Sequence, residues 1–333
     1  MSEPLLLLPL DAPPHRLSRP TAGPLLRLSG ATMGTRWSLA LAGAAEAAVV
    51  ERIVRAEFDA VVAAMSQWEP GSELSRFNRA DAGTWHTLSQ ALCHVVHAGL
   101  GLAARTDGAF DPAIGAVVDL WGFGSARPST LPPDPHELRA ALRAGGWRRL
   151  KLDVDACRAF QPGGLRLDLS GIAKGFGADQ AARALERAGH GAFLLEVGGE
   201  IVARGTKPDG EPWWVECELP PGADVPPIRL GLIDGAVATS GDYRRAIATP
   251  SARLSHTIDP RTGSPVPDAL ASVTVVHPDC MIADALATAI TVLGLDAGLA
   301  LADEARAAAI VIHRDGGRWR TSLSARARAM ADA

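Results

Sequence analysis

The stretch Leu165–Gly177, LRLDLSGIAKGFG, constrains this chain more than any other. Leu165, Leu167 and Leu169 alternate as one face of a short strand, and a helical pattern begins at Ser170–Gly171. Asp168 ends the strand and Lys174 stands one turn into the helix. A helix N-terminus presents unpaired N–H groups and partial positive charge, which suits an anion, and the lysine adds a full charge. Gly175 and Gly177 fall inside the helical pattern, where each costs about 1 kcal/mol relative to alanine. Another element or a ligand must therefore approach that backbone closely. Two nucleotide signatures fail here: Lys174 follows Ala173 rather than a glycine, and Gln180 stands where a dinucleotide fingerprint needs a small residue. A glycine-rich strand-to-helix corner packed on a sheet fits the same residues.

At 333 residues the chain can bury a large core as one or two domains. Its net charge of −4 gives no support for nucleic-acid binding. Cys93, Cys157, Cys217 and Cys280 form no CxxC pair, so neither a zinc site nor a disulfide framework is indicated. The amino-terminal apolar run is broken by Pro9 and lacks a basic region, so it reads as neither signal peptide nor membrane span; the expectation is a cytoplasmic protein.

Along the chain, residues 1–24 are Pro-rich and read as an irregular arm, 25–315 as the main domain, and 316–333 as an Arg-rich, solvated tail. Leu25–Leu41 reads as a strand pair turning across Gly30–Thr35, followed by helices over Ala44–Met65, Leu88–Thr106 and Pro135–Gly145. Strands are expected over Trp147–Phe160, Leu165–Leu169, Phe193–Arg204 (interrupted at Gly198–Gly199), Trp213–Leu219, Ile228–Ile233, Ala236–Ser240, Ala271–Val276 and Ala308–His313. Asp279 caps a helix that Gly294 closes. Without strict βα alternation the class is α+β, with mixed, largely antiparallel sheets flanked by helices.

The helix Cys280–Leu293, CMIADALATAITVL, carries one charge, Asp284, on an otherwise apolar surface, so it reads as buried. A buried carboxylate must be paired or bind a metal. Thr288 lies one turn on, and the two side chains offer hard oxygens suited to magnesium. Pairing of Asp284 with an arginine, with Thr288 bonding its own helix, is the alternative. Further candidates are the glycine-rich Asp107–Pro112 loop, the Gly198-Gly199-Glu200 and Ser240-Gly241-Asp242-Tyr243 interruptions, and His256, with Asp259 nearby to orient it as a base.

Taken in order, GATMGT, MSQWEPGSELSRFN, GAFDP, DLSGIAKGFGAD, EVGGEI, SGDYRR, HTIDPRTGSPV and ADALATA resemble the ApbE family of FAD:protein FMN transferases, from about Gly30 to Gly294. The resemblance implies an ApbE-like, T-fold-like architecture and transfer of the FMN half of FAD to a Thr or Ser of a target protein, with release of AMP and a requirement for Mg2+. It assigns Asp284, Thr288 and the Gly171 carbonyl to the metal, and Asp168 and Lys174 to the flavin nucleotide. Met33, Trp68, Ala109, Phe110, Asp111 and Ile258 match positions lining the FAD pocket. Lys174 would neutralise phosphate charge, and His256 is the candidate base. The same site would serve an FAD pyrophosphatase giving FMN and AMP, or a non-catalytic FAD-binding protein. The expected partners are FAD and an acceptor protein. Family members are often exported, in contrast to the expectation drawn from the amino terminus.

Overall fold

The computed structural model describes residues 3–10, 25–125, 131–241, 246–248, 253–267 and 270–333. Asp242, Tyr243 and most of the amino-terminal arm lie outside the described residues. The chain divides into two compact units, one of Met1–Asp59, Lys174–Tyr243 and Ala269–Ala333, the other of Ala60–Ala173 and Arg244–Asp268. No helix among the described residues is long and apolar enough to cross a membrane.

The first unit is built on an eight-stranded sheet. From edge to edge its strands are Arg318–Leu323, Ala308–Asp315, Leu270–His277, Gly235–Gly241, Glu200–Arg204, Phe193–Val197, Thr35–Leu41 and Leu26–Thr32, and every neighbouring pair is antiparallel. Antiparallel sheets often leave one face to water, and their strands then alternate apolar and polar. Here successive residues serve two cores instead. Val202 and Ala236 join one cluster, with Phe193, Leu195, Val54, Phe58 and Leu185. Their neighbours Ala203 and Val237 join the other, with Leu7, Trp213, Leu230, Ile310 and Met330. That double burial explains near-continuous apolar strands such as Leu270–His277.

Two tight turns set the registers. Met33 and Gly34 both have positive φ (46° and 69°) and join the paired Thr32 and Thr35, as a type I′ hairpin turn requires. The turn is therefore shorter than the Gly30–Thr35 segment expected from sequence. Gly198 and Gly199 also have positive φ (63° and 100°) and pair Val197 with Glu200, so the expected interruption is a hairpin between two full strands.

Both chain ends depart from expectation. Leu5–Leu7 forms a strand parallel to Ile228–Leu230, so the arm is not irregular throughout. The Arg-rich tail supplies the edge strand Arg318–Leu323 and the helix Ala325–Ala331, whose Ala327 and Met330 are buried. The arginines alternate outward along that strand, while Arg314 lies over the Trp319 ring at 4.3 Å.

In the second unit, helix Gln90–Arg105 buries Leu92, Val95, Val96 and Leu102, and Ser89 caps it. A three-stranded sheet orders Thr84–Thr87, Arg158–Gln161 and Lys151–Asp153. The expected strand over 147–160 is thus a 3-10 turn, Trp147–Arg149, followed by a hairpin. Residues 165–169 run extended but make one isolated bridge, Arg166 with Ile114. Asn78 takes the place of a neighbouring strand: its amide donates to Leu167 O at 2.9 Å, and its carbonyl accepts from Leu167 N at 2.7 Å.

Gly175, in the helix Ala173–Arg187, is tightly enclosed: a Cβ there would meet Cys280 O at 2.3 Å and Asp284 Cβ at 2.9 Å. The sequence-based expectation of a close approach is met by another helix, Cys280–Leu293. Because the obstacle is backbone, Gly175→Ala should destabilise the protein by at least about 2 kcal/mol, read from urea unfolding midpoints.

Candidate active site

Asp284 is 4% exposed on the buried helix of the first unit. Its Oδ2 accepts the Gly175 N–H at 3.0 Å, which is possible because Gly175 lets the two helices meet. Asp179 ties the same helices together, accepting from Cys280 N at 3.1 Å and Met281 N at 2.9 Å. Lys174 Nζ makes direct contact with Glu200 Oε1 and stands 4.0 Å from Asp284 Oδ1. The hydrogen-bond partner of Asp284 is thus a backbone amide, with a lysine rather than an arginine as the nearby cation. Thr288 Oγ1 lies 3.4 Å from Ser240 Oγ, whereas the hydroxyl that bonds its own helix is that of Thr291, to Ala287 O at 2.8 Å.

The charges in this cluster are coupled. Burial pushes the Asp284 carboxyl up, against the pull of Lys174 and the Gly175 N–H. Burial likewise raises Glu200, to about 7, with Lys174 drawing it down and Asp284 pushing it further up. Burial would lower the Lys174 ammonium, but the Asp284 and Glu200 carboxylates outweigh it and hold the group above the usual lysine value. A charged lysine between two buried carboxylates is the state this geometry favours. From sequence Glu200 figured in the Gly198-Gly199-Glu200 interruption and the EVGGEI motif without a role of its own; a lone acid opening an apolar strand was the available signal.

Among the described residues no three His, Cys, Asp or Glu side chains gather as metal ligands. One carboxylate and one hydroxyl, a helical turn apart, fit a hard cation that takes its other ligands from water, backbone or substrate.

Met33, in the same unit, sits at the hairpin turn and packs partly against the first core. The remaining expected site residues belong to the second unit. Asp168 accepts from Ser170 N at 2.8 Å and from Gln67 Nε2 at 3.2 Å, and Gln67 also reaches Ser170 Oγ at 3.2 Å. This small network fixes the turn that carries Gly171. Trp68, next to Gln67, is 55% exposed. Its loop is shaped by Ser66 Oγ, which accepts from Trp68 N and Glu69 N.

The Ala109-Phe110-Asp111 side chains are buried. Asp111 accepts from Ala113 N at 2.7 Å and Trp147 N at 3.0 Å, so both of its oxygens are engaged by backbone. Ile258 packs with Val117 and Trp121. His256 sits edge-on to Phe123, ring centroids 6.2 Å apart. The carboxylate expected to orient it is committed elsewhere: Asp259 binds Arg261 through both oxygens, each at 2.9 Å.

Solved structures share this architecture. The flavinyl transferase ApbE of Pseudomonas stutzeri, in its apo form, superposes with a TM-score of 0.84 at 32% identity, covering 93% of this chain and 97% of its own. The α+β fold is that of the flavin transferases. Two relatives named FAD:protein FMN transferase are also similar in sequence. That of Vibrio cholerae is 37% identical over 84% of this chain and 84% of its own length. That of Haemophilus influenzae is 35% identical over 90% of each. The ApbE family profile matches residues 33–312, and the chain belongs to the ApbE family.

Burial pushes the Asp111 carboxyl up to about 6, although the Ala113 and Trp147 amides pull it back. The folded state then holds the proton more tightly than the unfolded chain, so this group's contribution to stability is full below about pH 4 and is lost as pH rises through about 6. Asp111→Asn should abolish that dependence. It should also cost about 1–3 kcal/mol at pH 5, because one amide loses its acceptor. Urea unfolding across pH 4.5 to 7.5 (approximate bounds set by the same carboxyl) reads both effects.

Proposed function

We propose that this chain transfers the FMN half of FAD to a Thr or Ser hydroxyl of an acceptor protein, releasing AMP, and that it does so with Mg2+. The observation that carries the reading is Asp284: a buried carboxylate, anchored through one oxygen by the Gly175 N–H, with the Thr288 hydroxyl a turn away. Membership of a family whose similar relatives bear the name FAD:protein FMN transferase supports it.

In the first unit, Asp284 and Thr288 are the residues that would hold the cation, and Lys174 places a second positive charge beside them. When bound, Mg2+ supplies charge neutralisation for the pyrophosphate as its bond to the AMP half breaks. Lys174 stays charged throughout, held so by Asp284 and Glu200. In the second unit, Trp68 presents an exposed ring face on which a flavin or adenine can stack. Asp168 holds the Gly171 turn in shape, and the resemblance of DLSGIAKGFGAD to the family's motif assigns that turn to nucleotide and metal binding. His256 takes the proton of the incoming hydroxyl, which is a poor nucleophile without a base.

The test is incubation with FAD, Mg2+ and a candidate acceptor domain. A covalently fluorescent acceptor with a mass gain of one FMN is the expected result. Free FMN and AMP with an unlabelled acceptor would replace transfer by hydrolysis, and no AMP at all would remove catalysis. Asp284→Ala should lower transfer at least about a hundredfold and abolish its response to Mg2+. His256→Ala should lower the rate by about a hundredfold or more and flatten its pH profile, measured in single-turnover transfer. Full activity with an unchanged profile would assign the proton to another group.

A further inference from the structure

Lys174 faces two buried carboxylates and does not divide itself evenly between them. Its ammonium touches Glu200 Oε1, while Asp284 Oδ1 stands 4.0 Å away, outside hydrogen-bond range. Asp284 Oδ2 is engaged by the Gly175 N–H, so Oδ1 is the oxygen that Lys174 leaves open. Glu200 is 2% exposed, and its Oε2 has no hydrogen-bond partner among the described residues. Nothing in the local fold asks for an acid at this position. Glu200 opens a strand whose backbone pairs with Val197, and a buried ion pair there is a poorer stabiliser than apolar side chains of similar volume. A buried carboxylate with one oxygen unpartnered calls for another explanation.

We infer that Glu200 is a positioning residue, a countercharge that holds Lys174 off Asp284 so that Asp284 keeps an open oxygen and its full negative charge for the cation. The inference rests on the magnesium reading above. With Glu200 ionised, the Lys174–Glu200 pair is neutral and the cluster as a whole carries the charge of Asp284. With glutamine at position 200, the cluster is neutral and the only remaining anion for Lys174 is Asp284. The ammonium then turns to Oδ1, takes up the lone pairs a cation needs, and repels that cation as well.

The experiment is calorimetric titration of the full chain with Mg2+ alone, without FAD, alongside the thermal shift that Mg2+ produces. Glu200→Gln, nearly isosteric, should weaken Mg2+ binding by roughly tenfold or more, because a charge is lost within a few ångströms of the ligand. Combining Glu200→Gln with Lys174→Met removes the competing ammonium and restores the net charge. It should return affinity to within about threefold of the unsubstituted protein. A residue that only shaped the strand would not be rescued in this way. Equal Mg2+ affinity in the unsubstituted protein and Glu200→Gln overturns the inference and leaves the magnesium reading standing. So does a double variant as weak as the single one. Should Glu200→Gln fail to fold, the double variant decides alone: near-normal binding supports the inference, and a loss of about tenfold overturns it. Absence of any Mg2+ binding by the unsubstituted protein overturns the magnesium reading and this inference together.

Discussion

Asp284 is a carboxylate inside a helix that is otherwise apolar, and the first unit is arranged so that it can be there. One oxygen is satisfied by a backbone amide, and that amide belongs to Gly175, where any side chain would collide with Cys280 O. The glycine thus does two jobs at once. It lets two helices approach, and it brings a donor to a charge that would otherwise be costly to bury. Asp179 repeats the device from the next turn of the same helix, accepting the first amides of the helix that carries Asp284.

The sheet beneath packs against both helices. Its strands bury both faces, and the first core takes in Ala178, Ala181, Ala182 and Leu185 of one helix and Cys280 of the other. Glu200 is delivered by the same sheet: the Gly198–Gly199 hairpin determines which residue opens the next strand, and so which one meets Lys174. A turn of a different length would move the side chains by one register and send the acid to the opposite face.

Several features were legible because their causes are local. Asp279 caps its helix through Ile282 N, and Gly294 ends it. The periodicity of residues 90–105 gave a helix, and the glycines of the 165–177 stretch foretold a close approach. The misreadings share one cause as well. Residues 165–169 alternate like a strand, but their backbone meets only a single bridge to the Pro112–Gly115 segment on one side, while Asn78 serves Leu167. The carboxyl-terminal arginines suggested a solvated tail, although their alternation with Trp319 is that of an edge strand. Asp259 stood close to His256 in sequence, yet it serves Arg261.

The order of the motifs, the buried character of the helix Cys280–Leu293 and the oxygen pair Asp284 and Thr288 were determined by the sequence alone, because each depends on residues within a turn or two of one another. The pairing of Lys174 with Glu200 rather than with Asp284 was decided only in the folded molecule. It depends on strand register and on the closeness of two helices, and these emerge from packing between segments far apart in the chain, where no local pattern records the distance.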